Sequence, residues 1–194
     1  MVDSAKRQAL LYPLPLLTRP LPAAVKVPRF LTASHCRKLV GLAKRKGIDR
    51  IDSSRHGQAT FSAGGTWLLP VDDELVFRRF AERAAALNES NWRLALTGIY
   101  SPISVLRYRP GDWIRPHIDA DYRLADSTKL SCVVQLVPKE AFSGGVLTVA
   151  ETEAFELDVG DAVFFPAHMI HTVSAVESGE RYVLAAWAQG PEIR

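Results

Sequence analysis

The chain has 194 residues, of which 47% are hydrophobic, and carries a formal net charge of +3 at pH 7. That length suits one domain with a full-sized core and argues against two independent domains, each of which would be small. Its two cysteines, Cys36 and Cys132, lie in a predicted helix and a predicted strand, which argues against a disulfide framework and indicates a reducing, cytoplasmic compartment.

Residues 1–24 have a basic start, an apolar middle and small residues after it, in the order of a secretory signal. Pro13, Pro15 and Pro20 interrupt the helix that such a signal needs, so we expect no export. No apolar run reaches the roughly 18 residues that indicate a membrane span, and no membrane association is expected. We predict a flexible arm over 1–24 within a single domain of residues 1–194.

Positive charge is concentrated near the amino terminus. Residues 1–50 contain 11 lysines and arginines against two aspartates, Asp3 and Asp49, whereas the remainder is acidic. Such a segment is typical of a solvated face, and it also suits an anionic partner such as a nucleic acid or an acidic carrier protein. The composition alone leaves that choice open.

Two amphipathic helices are predicted before residue 99. The first covers Ser34 to Lys46, with Thr32 or Ser34 as N-cap and Gly47 as its stop. Its apolar face consists of Cys36, Leu39, Val40 and Ala43. The second covers about Asp72 to Asn88, and its apolar side consists of Val76, Phe80, Ala84 and Leu87. Residues 25–98 are therefore predicted to form a helical support that packs on a sheet.

From Ile99 onward the sequence changes to short runs rich in Val, Leu, Phe and Thr, bounded by Gly, Pro or Asp. The runs are SVLRY, KLSCVVQLV, VLTVA, AFELDV, DAVFFP, HTVSAV and RYVLAAW. Seven or eight strands with no helix between them indicate an antiparallel sandwich or jelly roll. The predicted fold class is mainly β (α+β), with a jelly-roll core over residues 99–190 and the amino-terminal helices packed on one sheet.

A candidate metal site begins with His117 and Asp119, which are two residues apart. In an extended strand they share a face, with Cα atoms roughly 6.5 to 7 Å apart, so both can bind one ion. His171 opens a later predicted strand and supplies a third ligand, which completes the facial triad of non-haem Fe(II) oxygenases. His168 and Asp121 are the rival ligands. The alternation of side chains along a strand favours His171 over His168. The shorter distance from His117 along the strand favours Asp119 over Asp121.

The order of short motifs resembles that of the Fe(II)/2-oxoglutarate dioxygenases of the prolyl 4-hydroxylase-like group. The matching motifs are YRPGD from Tyr108, HID from His117, GGVL from Gly144, DVGD from Asp158, FFP from Phe164, HTV from His171, GERY from Gly179, and Trp187. The resemblance implies a double-stranded β-helix and iron bound by His117, Asp119 and His171. It also implies that Arg181 pairs with the distal carboxylate of 2-oxoglutarate, which a planar guanidinium can hold with two parallel hydrogen bonds.

Two positions depart from the pattern of that group. Leu147 replaces a threonine often found in the Gly-Gly strand, and Val183 stands where a serine or threonine would follow Arg181. The residue that assists Arg181 is therefore open. The candidates are Tyr108 first, then Ser131 and Gln135.

The resemblance implies a hydroxylase that uses Fe(II), dioxygen and 2-oxoglutarate and releases succinate and CO2. The expected substrate is an aliphatic carbon of an amino acid that is free, peptide-bound or carrier-tethered. The carboxylate of Asp119 argues against the related halogenases. The segment RYVLAAWAQG does not match the related demethylases of nucleic-acid bases, so no nucleic-acid substrate is expected.

The candidate substrate contacts are Arg115 and Trp113. Arg115 shares strand parity with His117, so it can face the pocket mouth and hold a substrate carboxylate. Three alternative functions remain: a non-catalytic jelly-roll module that binds a metal or partner, a cupin-like isomerase or hydrolase, and a hydroxylase of a small molecule other than an amino acid. The sequence identifies neither the substrate nor the oligomeric state.

Overall fold

The structure is a computed structural model that describes residues 21–55, 58–120, 126–151 and 153–191. Most of the predicted arm over 1–24, and the rival ligand Asp121, lie outside the described residues. The helices are α1 (Ala33–Lys46) and α2 (Glu74–Leu87). The strands, in chain order, are β1 (Val25–Val27), β2 (Asp49–Arg55), β3 (Gln58–Leu68), β4 (Ile103–Tyr108), β5 (Trp113–His117), β6 (Asp126–Gln135), β7 (Phe142–Gly144), β8 (Leu147–Val149), β9 (Glu153–Phe155), β10 (Ala162–Pro166), β11 (His171–Val173), β12 (Val176–Gly179) and β13 (Arg181–Pro191).

Both helices begin at a side chain that accepts a backbone hydrogen bond. Thr32 accepts from the N–H of His35 at the start of α1, and Asp73 accepts from the N–H of Val76 at the start of α2. Helix α1 ends at Gly47, whose φ of 94° suits glycine. Both predicted helices are confirmed. Each has 14 residues, and in the described part of the chain no helix is long and apolar enough to cross a membrane.

The strands form a jelly roll, which confirms the predicted fold class. The larger sheet is antiparallel and follows the order β1-β10-β6-β13-β4-β3-β5-β11-β8-β9, with β2 paired to β3. Strands β7 and β12 form a second, two-stranded sheet. Neighbours in the sheet are mostly distant in sequence, so residues from several motifs meet at one end of the barrel.

The larger sheet separates two apolar cores. One lies between the sheet and the helices, where the ring of Phe164 stacks on that of Phe80 with centroids 6.0 Å apart. The other fills the inside of the barrel. Side chains alternate along β13, so Leu184 belongs to the first core and Val183 to the second. This alternation directs every second residue of β13 toward the barrel interior.

In the chain, a β-hairpin formed by β2 and β3 comes between the two helices, and the sequence analysis did not predict it. Strand β3 pairs with β4 and so extends the sheet. The hairpin is tied to the barrel by Asp112, which accepts hydrogen bonds from Arg50 Nη1 (2.8 Å) and Ser62 Oγ (2.7 Å). Gly65 allows close packing within the hairpin, because a Cβ there would displace Cδ1 of Ile51. Residues 25–98 therefore contribute strands to the barrel as well as helical support.

Candidate active site

His117, Asp119 and His171 meet at one end of the barrel. His117 is the last residue of β5 and pairs directly with His171, the first residue of β11. One possible ligand atom from each of the three residues lies within 4.8 Å of the others. Strand β5 ends before Asp119, so the alternation of side chains along a strand does not determine the position of this residue. Instead, its backbone N–H donates to the carbonyl of Ala167 at 2.9 Å.

Hydrogen bonds to the backbone fix the orientation of both imidazoles. Nδ1 of His117 lies 2.9 Å from the carbonyl oxygen of Arg115, and Nδ1 of His171 lies 3.1 Å from that of Met169. Because a carbonyl only accepts, each Nδ1 carries the proton and each Nε2 keeps its lone pair for a metal. The Nε2 atoms lie 3.4 Å and 3.6 Å from the carboxylate oxygens of Asp119, separations that leave room for a shared ion.

Asp119 is held by two side chains that the sequence analysis did not connect with it. Ser131 Oγ donates to Oδ2 at 2.7 Å, and Trp187 Nε1 donates to the same oxygen at 2.9 Å. Ser131 therefore forms a hydrogen bond with the carboxylate of Asp119 and is not the partner of Arg181. Trp187 was recognised only as part of a motif, because its register with Ser131 across β13 and β6 cannot be read from sequence.

The protonation states of Asp119 and His171 suit metal binding. Burial favours the neutral form of Asp119, but hydrogen bonding to His117, the nearby His171 and the Ser131 hydroxyl lower its pKa to about 2. Burial lowers the pKa of His171. Burial also acts on His117, but its contact with Asp119 outweighs this and raises its pKa. Asp119 is therefore ionised and His171 neutral at pH 7, as metal ligands must be.

Arg181 lies deeper in the barrel and is 2% exposed. Its Nε donates to Oε1 of Gln135 at 3.2 Å, and its guanidinium carbon lies 5.4 Å from the ring centroid of Tyr108. Nη1 is buried and has no hydrogen-bond partner among the described residues. Burial lowers the pKa of Arg181 to about 10, so the side chain stays protonated at pH 7. A buried cation with an unused donor suits an anionic ligand.

One cavity connects the three clustered side chains to Arg181. The residues His117, Asp119 and His171 line it together with Arg181 and Tyr108. Its apolar walls include Leu106, Ile114, Leu147, Val173, Val183 and Ala185. Leu147 and Val183, the two departures from the family pattern, thus make the wall more apolar and leave Gln135 as the partner of Arg181.

The role of Arg115 and Trp113 in substrate binding stays a prediction. Arg115 is exposed, its guanidinium carbon lies 5.3 Å from the ring centroid of Trp113, and neither residue is among the described residues that line the cavity. Trp67 of the unpredicted hairpin lines it instead. His168 is exposed and is not part of the described His-Asp-His cluster.

A second depression adjoins the cavity, and we call it the aromatic groove. Its described lining consists of Trp67, Tyr100, Ser101, Pro102, Asp119, Thr128, Trp187 and Gln189. Trp67, Trp187 and Asp119 line both the cavity and the groove. The aromatic groove therefore opens directly beside the candidate metal cluster.

Two histidines and one carboxylate at one end of a jelly-roll barrel, with sites left open on the ion, are the arrangement that non-haem Fe(II) oxygenases use. A sequence model of the 2OG-Fe(II) oxygenase superfamily matches residues 103–189, which contain the whole cluster and Arg181. Over these residues the chain is similar to the 2OG-Fe(II) oxygenase superfamily, and it resembles the prolyl 4-hydroxylase-like group of that superfamily. The expected cofactor and cosubstrates, Fe(II), 2-oxoglutarate and dioxygen, are those of this superfamily.

Curated relatives carry the name PKHD-type hydroxylase. One from Hyphomonas neptunium is 40% identical over 88 residues, which is 41% of this chain and 38% of the relative. Another from Janthinobacterium sp. is 29% identical over 181 residues, covering 84% of this chain and 76% of the relative. Three of the relatives are matched over only 41%, 34% and 38% of their own length.

Solved structures share the fold at low sequence identity. A viral collagen prolyl hydroxylase from Paramecium bursaria Chlorella virus-1, solved with 2OG, gives a TM-score of 0.72 at 20% identity, covering 87% of this chain and 97% of the other. A Pseudomonas putida prolyl-4-hydroxylase gives 0.69 at 20% identity, covering 87% and 92%. These neighbours confirm the jelly-roll architecture.

Proposed function

We propose that this single-domain chain is an Fe(II)/2-oxoglutarate-dependent hydroxylase that inserts one oxygen atom into an aliphatic C–H bond of an amino acid and releases succinate and CO2. The observation that carries the proposal is the placement of His117, Asp119 and His171 at one end of a cavity whose other end holds the buried Arg181. One end suits a metal ion and the other suits a carboxylate.

The three clustered side chains would hold the iron. Their donor set of two imidazole nitrogens and one carboxylate oxygen is the set that Fe(II) oxygenases require, and both Nε2 atoms are directed away from their backbone partners. When bound, Fe(II) with 2-oxoglutarate supplies the activation of dioxygen that no amino-acid side chain can provide. A protein ligand set of three leaves coordination positions for the cosubstrates.

The protein binds and orients the cosubstrate from the opposite end. Arg181 would bind the distal carboxylate of 2-oxoglutarate through its unpaired Nη1, while Gln135 holds Nε and fixes the plane of the guanidinium. The buried Tyr108 lies beside Arg181 and adds to the wall of this end. The apolar walls give the cavity a low polarity, which strengthens the pairing of Arg181 with a carboxylate.

The solved neighbours support the proposed substrate class. The solved neighbours include prolyl hydroxylases, and one from Trichoplax adhaerens was solved with a peptide fragment of hypoxia inducible factor. A peptide-bound amino acid is thus the best-supported substrate among the free, peptide-bound and carrier-tethered forms. We place the enzyme in the cytoplasm, because both Cys36 and Cys132 are buried free thiols.

The test is an anaerobic titration of the purified chain with Fe(II) and 2-oxoglutarate. We expect a weak visible charge-transfer band, then succinate release on admission of oxygen and the mass gain of one oxygen atom in a peptide, free amino acid or carrier-bound substrate. The matched variants are His171→Ala, which should lose the band, and His168→Ala, which should keep it. Absence of both the band and succinate contradicts the proposal, and oxygen-independent turnover indicates a cupin-like enzyme.

A further inference from the structure

A buried serine hydroxyl belongs to the wall of the cavity. Ser104 lines the cavity and is 1% exposed, and its Oγ has no hydrogen-bond partner among the described residues. The polar groups of the candidate metal cluster are already engaged, because both imidazoles contact backbone carbonyl oxygens and Ser131 and Trp187 donate to Asp119. A buried polar group without a partner is rare and lowers stability, so a functional role is its natural explanation.

The register of three strands places Ser104 where the cavity meets the aromatic groove. Ser104 lies on β4, opposite Trp67 of β3 and opposite Ala185 of β13. Side chains directly opposite on neighbouring strands share a face, with Cβ atoms about 4.5–5.5 Å apart. Trp187 lies two residues beyond Ala185 on the same face, and both tryptophans line the groove as well as the cavity. Ser104 is therefore flanked by the two strands that carry these tryptophans.

Ser104 lies away from the end of the cavity that suits a carboxylate. Tyr108, which is paired with Arg181 in the register of β4 and β13, lies four residues further along β4. Four residues of a strand span about 13 Å. In the other direction, Ser101 and Pro102 directly precede β4 and belong to the groove lining. A molecule that enters from the groove therefore reaches Ser104 before it reaches Arg181.

The aromatic groove suits a peptide better than a free amino acid. Trp67 and Tyr100 are large side chains that are 51% and 62% exposed, and exposed aromatic surface of this kind marks a binding site. The described residues that line the groove include no lysine or arginine to pair with an α-carboxylate, and Asp119 is a candidate metal ligand. An uncharged hydroxyl is matched by a neutral peptide group, which offers both a donor and an acceptor. A peptide-bound residue is therefore the occupant that this surface fits.

We propose that Ser104 is a substrate-binding residue whose hydroxyl forms a hydrogen bond with a backbone peptide group of a peptide that lies across the aromatic groove. This role rests on the proposed function, because turnover at the metal defines which bound molecule is the substrate. A serine hydroxyl has three staggered positions about one bond, so it can meet a ligand in the cavity without backbone movement. The bound peptide then supplies the partner that the described residues do not provide.

Steady-state kinetics with blocked peptides test this contact. Tripeptides that are acetylated and amidated at their ends, and varied at the central residue, are screened with Fe(II), 2-oxoglutarate and oxygen for the mass gain of one oxygen atom. With the best of these peptides, Ser104→Ala should raise KM by about 3- to 10-fold, which is the value of one neutral hydrogen bond. Ser104→Thr keeps the hydroxyl and should restore most of the parent KM. The dissociation constant of 2-oxoglutarate, measured from the charge-transfer band, should be the same in all three proteins.

The matched control is Ser127→Ala. Ser127 is also 1% exposed, and its Oγ also lacks a hydrogen-bond partner among the described residues, but it is not among the described residues that line the cavity or the groove. Ser127→Ala should therefore keep the parent KM. Neither substitution breaks a hydrogen bond between described residues, so urea unfolding should show undiminished stability for both variants.

An unchanged KM in Ser104→Ala overturns the proposed contact, as does a screen in which no blocked peptide is hydroxylated although the parent releases succinate. A lower free energy of unfolding in Ser104→Ala alone also overturns it, since the hydroxyl then supports the fold. All three results leave the charge-transfer band and the succinate release of the parent intact. Absence of the band and of succinate in the parent contradicts the proposed function itself, and the role of Ser104 with it.

Discussion

Trp187 and Asp119 are joined by a 2.9 Å hydrogen bond from the indole Nε1 to Oδ2, although 68 residues separate them in sequence. Ser131 donates to the same oxygen. With Oδ2 occupied by two donors, the carboxylate cannot rotate freely, and Oδ1 is left for the ion beside His117. A carboxylate fixed in this way loses little conformational entropy when it binds a metal.

Replacing Trp187 with Phe should weaken metal binding, because the ring is kept while the donor to Asp119 is lost. Loss of such a partner of a metal ligand typically lowers metal affinity by about 10- to 100-fold. Titration with Fe(II) or Co(II) under anaerobic conditions measures the change. Trp113→Phe is the matched control and should bind metal like the parent, since Trp113 lies outside the described lining of the cavity. Equal affinities of the two variants would contradict the positioning role.

Separate alanine substitutions of His168 and His171 distinguish the two candidate ligands. His171→Ala should abolish stoichiometric iron binding, since it removes one of the three donors of the cluster. His168→Ala should retain it, because His168 is exposed and is not part of the cluster. Iron content after gel filtration is the measurement. Loss of iron in the His168 variant alone would show that the ligand assignment is wrong.

Gln135→Leu should weaken 2-oxoglutarate binding and leave iron binding unchanged. The substitution leaves Nε of Arg181 without its partner, so the guanidinium is free to tilt away from the carboxylate. A hydrogen bond to a charged group is worth about 1.5–3 kcal/mol, which corresponds to a loss of affinity of about 10- to 100-fold. The dissociation constant comes from the charge-transfer band at saturating Fe(II). An unchanged dissociation constant would indicate that Tyr108, and not Gln135, holds the guanidinium of Arg181 in place.

The stability of the helix layer should depend on pH through Asp73. Burial raises the pKa of this buried carboxyl, but hydrogen bonds from Lys38, His35 and the N–H of Val76 outweigh it, so the pKa lies below the ordinary 3.8. Because the pKa is lower in the folded than in the unfolded state, ionised Asp73 stabilises the fold above about pH 4. This contribution is lost as the pH falls through the folded-state pKa.

Asp73→Asn keeps an N-cap residue and removes the charge. We expect it to lower the free energy of unfolding by about 1–3 kcal/mol at pH 7, with a difference that shrinks below about pH 4. Urea unfolding at several pH values provides the measurement. A difference that stays constant down to pH 3 would mean that the charge of Asp73 contributes nothing.

The sequence predicts the helices and most strands of the barrel because their apolar periodicity is strong. It does not predict the hairpin of β2 and β3. The first strand reads DRIDSSR, without apolar alternation, and the second contains Gly64 and Gly65. The role of Gly64 depends on side chains outside its strand, since a Cβ there would lie 2.7 Å from Cγ2 of Ile48 and 3.3 Å from Nη2 of Arg107.

The candidate metal ligands and Arg181 can be found from sequence because their spacing and order are restrictive. Their supporting residues cannot. Whether Ser131 faces Asp119 or Arg181 depends on the register of β6 against β13, which places Ser131 opposite Trp187 and Gln135 opposite Val183. Arg115 was assigned to the pocket mouth by its position along β5; its side chain is exposed and lies next to Trp113, and its contact with a substrate stays a prediction.

The direct pairing of His117 with His171 has a consequence for folding. The two ligands come from strands that are distant in the chain and become neighbours only when β5 and β11 align. Contacts of such long range form late, after the entropy of closing the intervening loop has been lost. A metal that binds all three side chains therefore recognises only the closed barrel, and its binding free energy adds to the stability of the native state.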